Sequence, residues 1–139
     1  MPIDYRQDDF NELEFGERSF DQVINCSTIE HVGLAGRYGS RAEAYGDLRA
    51  MAKLARLLRR DGEMILTLPV GLDDVFAPHH RVYGADRLPR LLEPFVVGEE
   101  RWWAKPDGRR WEPVRRELAL ATQGSPSYYV LGLVVARPR

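Results

Sequence analysis

The sequence has 139 residues, 44% of them hydrophobic and 29% charged, which is the composition of one globular domain able to bury a core. A formal net charge of −1 gives no argument for a nucleic-acid or membrane partner, and no apolar run approaches membrane-spanning length. The single cysteine, Cys26, excludes an internal disulfide framework and suits a reducing cytoplasm, and the amino end, MPIDYRQDD, reads as having no signal peptide.

In chain order, Ile3 to Arg6 alternates weakly and predicts a short strand running into Gln7-Asp8-Asp9. An acid after the carboxyl end of a strand is placed to accept a hydrogen bond from a ligand amine, or else to cap a turn. Ser19 to His31, SFDQVINCSTIEH, predicts a strand covered on both faces, as in parallel α/β sheets, because Val23, Ile24, Cys26 and Ile29 form an apolar run bounded by turn residues. Ligands of open parallel sheets collect outside the carboxyl ends of the strands, so Asn25, Ser27, Thr28, Glu30 and His31 stand where a site is expected. Asp21 reads as structural.

From Val32 to Tyr45 the glycine density predicts a loop without a phosphate-binding fingerprint, in which Arg37 and Tyr38 either orient a substrate or pin the backbone. Asp47 is the expected N-cap of a helix over Leu48 to Arg60, whose Leu48, Met51, Leu54, Ala55 and Leu58 recur on one face. Asp61-Gly62 ends it, and Glu63 to Val70, EMILTLPV, is the next buried strand. Strand, helix and strand in this order predict a right-handed parallel crossover, which sends Leu72 to Pro78 over the sheet edge where Glu30 and His31 emerge. His79 and His80 lack the spacing of metal ligands, so no metal site is expected. Asp86 to Leu92 predicts a short helix, Phe95 to Trp103 a strand, Pro106-Asp107-Gly108 a turn, Trp111 to Thr122 a helix and Tyr128 to Ala136 a third apolar strand. The last two strands, with no parallel crossover between them, predict a reversed hairpin covered by Trp102, Trp103 and Trp111.

Charge is unevenly spread. Residues 1–30 hold eight acids against Arg6 and Arg18, and residues 101–139 hold eight bases against Asp107, Glu112 and Glu117. The favoured expectation is that the two ends neutralise each other across the fold, ahead of a patch for an anionic partner.

At this point the residues carry a resemblance. SFDQVINCSTIEHV, preceded by DDFNELEF and followed by LLRRDGEMILTLPVG, resembles the second half of a class I S-adenosylmethionine-dependent methyltransferase. STIEHVGLAGRYG, with HRVYG further on, is similar to a poorly characterised methyltransferase-like branch of that superfamily, and the resemblance runs from about Ile3 to Pro138. It implies an α/β fold in one domain over residues 1–139, a partial Rossmann-like sheet that is mostly parallel with a reversed C-terminal hairpin. It also implies S-adenosylmethionine as cofactor, with Asp9 and Phe10 of a D-x-x-x-L pattern on adenine and Cys26 and Ser27 near the methionine portion. The base for methyl transfer to a small-molecule acceptor would be His31 or His80, helped by Glu30, with Arg37, Tyr38, Arg81 and Tyr83 positioning the acceptor. The shared His-Arg-x-Tyr-Gly string selects His80 over His79.

Such a methyltransferase opens with a strand, a Gly-rich turn and a second strand ending in a ribose-binding acid, and the present chain resembles the family only from its third strand. The expectation is therefore a sheet lacking its middle, weak or absent cofactor binding by the isolated chain, and a homodimer or a partner chain that supplies strands against Phe20 to Ser27. The alternative is a non-catalytic remnant or an assembly subunit completed by a partner.

Overall fold

The computed structural model describes residues 3–36, 41–127 and 129–139. The elements in chain order are β1 (Phe20–Cys26), a 3-10 turn (Ile29–His31), α1 (Gly46–Leu57), β2 (Leu58–Pro69), β3 (Asp74–Phe76), β4 (His80–Val82) and α2 (Arg87–Leu92). They continue with β5 (Phe95–Ala104), β6 (Glu112–Pro113), α3 (Arg116–Ala121) and β7 (Val130–Pro138). Five strands form one sheet in the order β1-β2-β7-β5-β6, while β3 and β4 pair apart from it.

The α/β class is as expected, and the mostly parallel sheet is not. Only β1 and β2 run parallel, joined through α1, whereas β2 with β7, β7 with β5 and β5 with β6 are antiparallel. The crossover and the reversed hairpin were both readable, but the described residues hold a single parallel pair, so the hairpin dominates the sheet.

One face of the sheet carries the core. Met64, Leu66 and Leu68 of β2 and Val134 and Ala136 of β7 are buried, alternating with half-buried Ile65, Thr67, Leu133 and Val135, the two-residue period of strands covered on one side. Ala50, Met51 and Leu54 of α1 and Leu88, Leu91 and Leu92 of α2 fill that covered side. Gly132 on β7 lets the Trp102 ring lie flat against the strand, since a Cβ there would meet the ring at 2.6 Å.

Several boundaries move. Ile3 to Arg6 is not a strand; it is exposed, with Arg6 bonded to Asp4 and to the Glu14 carbonyl. β1 is not covered on both faces: it is the edge strand of the sheet, and Ile24 is 67% exposed. The helix begins at Gly46 and ends at Leu57, and Asp47 lies inside its first turn rather than capping it. The stretch Leu72 to Pro78, read as a loop, contains β3, which pairs with β4, and Glu112–Pro113 pairs with β5 before a short α3 where one longer helix was expected. No helix among the described residues is long and apolar enough to cross a membrane.

Candidate functional site

The parallel pair delivers the ends of β1 and β2 to one edge, and Cys26 stands opposite Thr67 there. Ser27 turns the chain off the sheet with a positive φ of 46°, a conformation that costs a non-glycine residue energy and is held here by three bonds. Its N–H donates to the Thr67 carbonyl at 3.0 Å and approaches the Thr67 hydroxyl at 3.1 Å, and the two hydroxyls lie 3.2 Å apart. The Asn25 side chain accepts from the Ile29 N–H at 3.2 Å, starting the 3-10 turn that buries Glu30 completely. Gly33, with φ of 78°, closes the turn, because a Cβ there would run into the Glu43 carbonyl.

The β3–β4 hairpin comes to the same place. The His31 ring bonds through Nδ1 to the His79 carbonyl, and the His31 and His80 rings meet edge to face with centroids 6.5 Å apart. His31 Nε2 is 3.8 Å from the Glu30 carboxylate. A neutral imidazole that donates from Nδ1 to a carbonyl keeps its lone pair on Nε2, and the buried carboxylate beside Nε2 stabilises the ring once protonated. His80 is itself buried, and its Nε2 lies 3.1 Å from the Ser125 carbonyl, which ties residues 123–127 to the hairpin.

Arg81 and Tyr83 are also buried and face inward. The Arg81 guanidinium donates to the Val32 carbonyl at 2.5 Å and the Glu43 carbonyl at 3.4 Å, and lies 3.6 Å from Asp47. Tyr83 donates its hydroxyl to Asp47 at 3.0 Å. Burial, and then the Asp47 charge, push the Tyr83 phenol well above its usual value, so it stays protonated as the donor. These two side chains therefore fasten the loop after the 3-10 turn to α1. Arg37 and Tyr38 fall outside the described residues.

Asp9 and Phe10 form a turn: the Asp9 side chain accepts from the Asn11 N–H at 2.9 Å, and its carbonyl accepts from Glu12 and Leu13. Asn11 donates to the carbonyl of Gly46, the first residue of α1, which holds the turn at the carboxyl edge of the sheet. Lys53 of α1 donates all three ammonium protons, to the carbonyls of Phe10, Asn11 and Leu13, and lies over the Phe10 ring at 4.9 Å. Asp9 thus caps a turn that Asn11 and Lys53 tie to α1.

Sequence reasoning passed over three participants. Thr67 is the one hydroxyl inside EMILTLPV, a polar interruption that signals an edge role. Asp47 read as a cap and is instead the buried carboxylate shared by Arg81 and Tyr83. Ser125 acts through its backbone and left no signal. The charge expectation fails as well: the N-terminal acids Glu12 and Asp21 pair with Arg49 and Arg59 of the α1–β2 segment, and no ion pair among the described residues joins residues 1–30 to residues 101–139.

Comparison with known proteins follows from this geometry. A family model described as Caenorhabditis protein of unknown function, DUF268, matches residues 4–101. No curated protein matches the chain. Among solved structures, a Bacillus halodurans protein assigned as a methyltransferase is similar with a TM-score of 0.63 at 15% identity, covering 99% of this chain and 78% of its own. The [4+2]-cyclase SpnF gives a TM-score of 0.60 at 15% identity over 97% of this chain and 56% of its own. A Burkholderia thailandensis 1,6-didemethyltoxoflavin-N1-methyltransferase, holding S-adenosylhomocysteine, gives 0.52 at 18% identity over 93% of this chain and 48% of its own. The chain thus spans about half the length of the last two. At these identities the likeness establishes the fold, and the presence of a cyclase among the matches shows that this fold serves more than one reaction.

Proposed function

The chain belongs to the DUF268 family and has the class I S-adenosylmethionine-dependent methyltransferase fold, and from that premise we propose that it forms the acceptor-side half of a domain that transfers a methyl group from S-adenosylmethionine to a small molecule. The observation that carries the reading is the convergence at one sheet edge of the strained Ser27, the Glu30–His31 pair and the β3–β4 hairpin, with the Asp9 turn tied to the first residue of α1. Methyl transfer is a direct displacement, so the protein aligns donor and acceptor and removes a proton. In this reading Asp9 and Phe10 face the adenine, and Cys26 and Ser27 border the methionine portion, held in place by Thr67. His31 takes the proton at Nε2, with Glu30 stabilising the imidazolium. His80 positions Ser125, Arg81 acts by tying Val32 and Glu43 to Asp47, Tyr83 bonds Asp47, and Arg37 and Tyr38 contact the acceptor. The bound cofactor supplies an electrophilic methyl group on sulfur.

Titration of the isotope-labelled chain with S-adenosylhomocysteine tests this. Weak binding with amide shifts at Asp9, Phe10, Cys26 and Ser27 is the expected result. Saturable shifts confined to other parts of the chain would remove the cofactor assignment.

A second reading, a non-catalytic subunit completed by another polypeptide, is favoured by the β1 edge. Among the described residues β1 pairs only with β2, and Ile24 stands in the open beside half-buried Ile65 and Val135 on the uncovered sheet face. A homodimer, or a partner chain adding a strand along β1, would cover both in either reading.

A further inference from the structure

We infer that the β5–β6 hairpin, residues 105–111, is an anion-recognising wall of the acceptor site, and that the acceptor carries a phosphate or carboxylate group. This rests on reading the carboxyl edge as the acceptor site.

The strand registers put the hairpin there. Pro69 stands opposite Leu131, Leu131 opposite Trp103, and Ala104 opposite Glu112, so the hairpin rises from the edge at which β1 and β2 end. Val70 and Lys105 donate to the carbonyls of the successive residues Val130 and Tyr129, which carries the edge without a break from β2 to the hairpin. Between them lies a small open depression lined by Pro69, Val70, Ser125, Ser127 and Tyr129, and Ser125 is the residue held by His80.

The hairpin's chemistry is that of an anion site. Lys105, Arg109 and Arg110 fall within six residues, and none of them has a carboxylate partner among the described residues, whereas Arg101 and Arg116 are paired with Glu99 and Glu100. Clustered like charges repel one another, and an anion that joins them relieves the repulsion. The one acid in the loop, Asp107, is engaged by the backbone: its carboxylate accepts from the Arg109 and Arg110 N–H groups at 2.8 and 2.9 Å. That turn fixes the backbone at both arginines. Two aromatic rings stand exposed next to them, Trp111 at 41% and Tyr129 at 43%. Lys105 lies over the Trp111 ring at 4.3 Å, which keeps the ammonium at the hairpin surface instead of folded away. Planar guanidinium groups suit bidentate contact with phosphate or carboxylate oxygens.

The labelled protein is titrated separately with inorganic phosphate, with acetate and with a single-stranded DNA 12-mer, following the Trp111 indole and the Arg109 and Arg110 amides. The control is R137A/R139A, which removes the same charge from the opposite end of β7. A saturable response to phosphate or acetate, weakened about tenfold or more in R109A/R110A, as expected for a lost charge-assisted hydrogen bond, and unchanged in the control, supports the inference. The anion that binds more tightly names the group on the acceptor. An equal loss in both double variants, or no saturable response to either anion, overturns it. So does saturation by the oligonucleotide where both small anions are silent, which would make the hairpin a nucleic-acid surface. None of these readouts uses the cofactor, so failure here and failure of the S-adenosylhomocysteine titration are separate results.

Discussion

Tyr83 and Asp107 show ionisable groups whose surroundings act in opposite directions. Tyr83 is buried and bonded to Asp47, and its raised pKa means the folded state holds the proton more tightly than the unfolded chain. Its contribution is therefore complete at neutral pH and is lost as the pH rises past the ordinary tyrosine range toward the folded value. Tyr83→Phe should cost about 1 to 3 kcal/mol, the penalty for depriving a buried carboxylate of a donor, and chemical denaturation at pH 7 measures it. Asp107 is fully exposed, and the Arg110 and then the Arg109 N–H hold its carboxyl below the usual carboxylate value. Here the sign reverses: the turn is held above the ordinary carboxylate range and loosens only as the pH falls through the depressed value. Amide spectra of Arg109 and Arg110 should stay unchanged on acidification until below the pH at which the exposed acids titrate. On the methyl-transfer reading, His31→Ala should lower the rate in the completed protein by about 10²- to 10⁴-fold, the usual contribution of a positioned base, by more than its loss of stability explains; an unchanged rate would dismiss His31 as the base.

The strand β1 and the helix α1 divide the work of holding the site. α1 binds the N-terminal turn through Lys53, Arg81 and Tyr83 through Asp47, and the sheet through Met51 and Leu54. Lys53→Met leaves the helix packed but removes the donor to three carbonyls, and should raise hydrogen exchange across residues 9–15 while leaving β2 and β7 protected. Equal exchange in both proteins would mean that the turn is held by Asn11 and its surroundings alone. Leu54→Ala, in contrast, opens a cavity in the core and should destabilise the whole chain by about 2 to 5 kcal/mol, measured as a lower denaturation midpoint.

At the scale of the molecule, the sheet has one packed face and one open face, and β1 is an unprotected edge without the proline or lysine that commonly blunts such edges. If the edge is covered by a second copy, Ile24→Lys should shift light scattering from dimer to monomer at low micromolar concentration while keeping the fold. A monomeric parent chain with a cooperative melt would end the homodimer proposal.

What could be read from the residues alone was local. The apolar runs of β1, β2 and β7, the three- and four-residue spacing of α1, and the crossover joining β1 to β2 follow from side-chain period and chain handedness, and they placed Glu30, His31 and His80 near one another. The EH and HRVYG strings lie close to the strand ends, so their meeting needed only the crossover. Other features depended on which segments meet in space. SFDQVIN reads as a central strand because apolar residues look alike whether covered on one side or two, and only the sheet order shows it to be an edge. The parallel character of the sheet was overestimated because hairpin register is set by pairing partners, not by the period of any one strand. Asp47 has the spacing of a helix cap, and tertiary packing made it the buried partner of Arg81 and Tyr83 from a hairpin some 35 residues on. The bases of residues 101–139 balance the N-terminal acids in the formal net charge, but screening and distance decide which charges interact, and in the folded chain Glu12 and Asp21 pair with Arg49 and Arg59, while Lys105, Arg109 and Arg110 stand in the hairpin that rises from the edge where the candidate site lies.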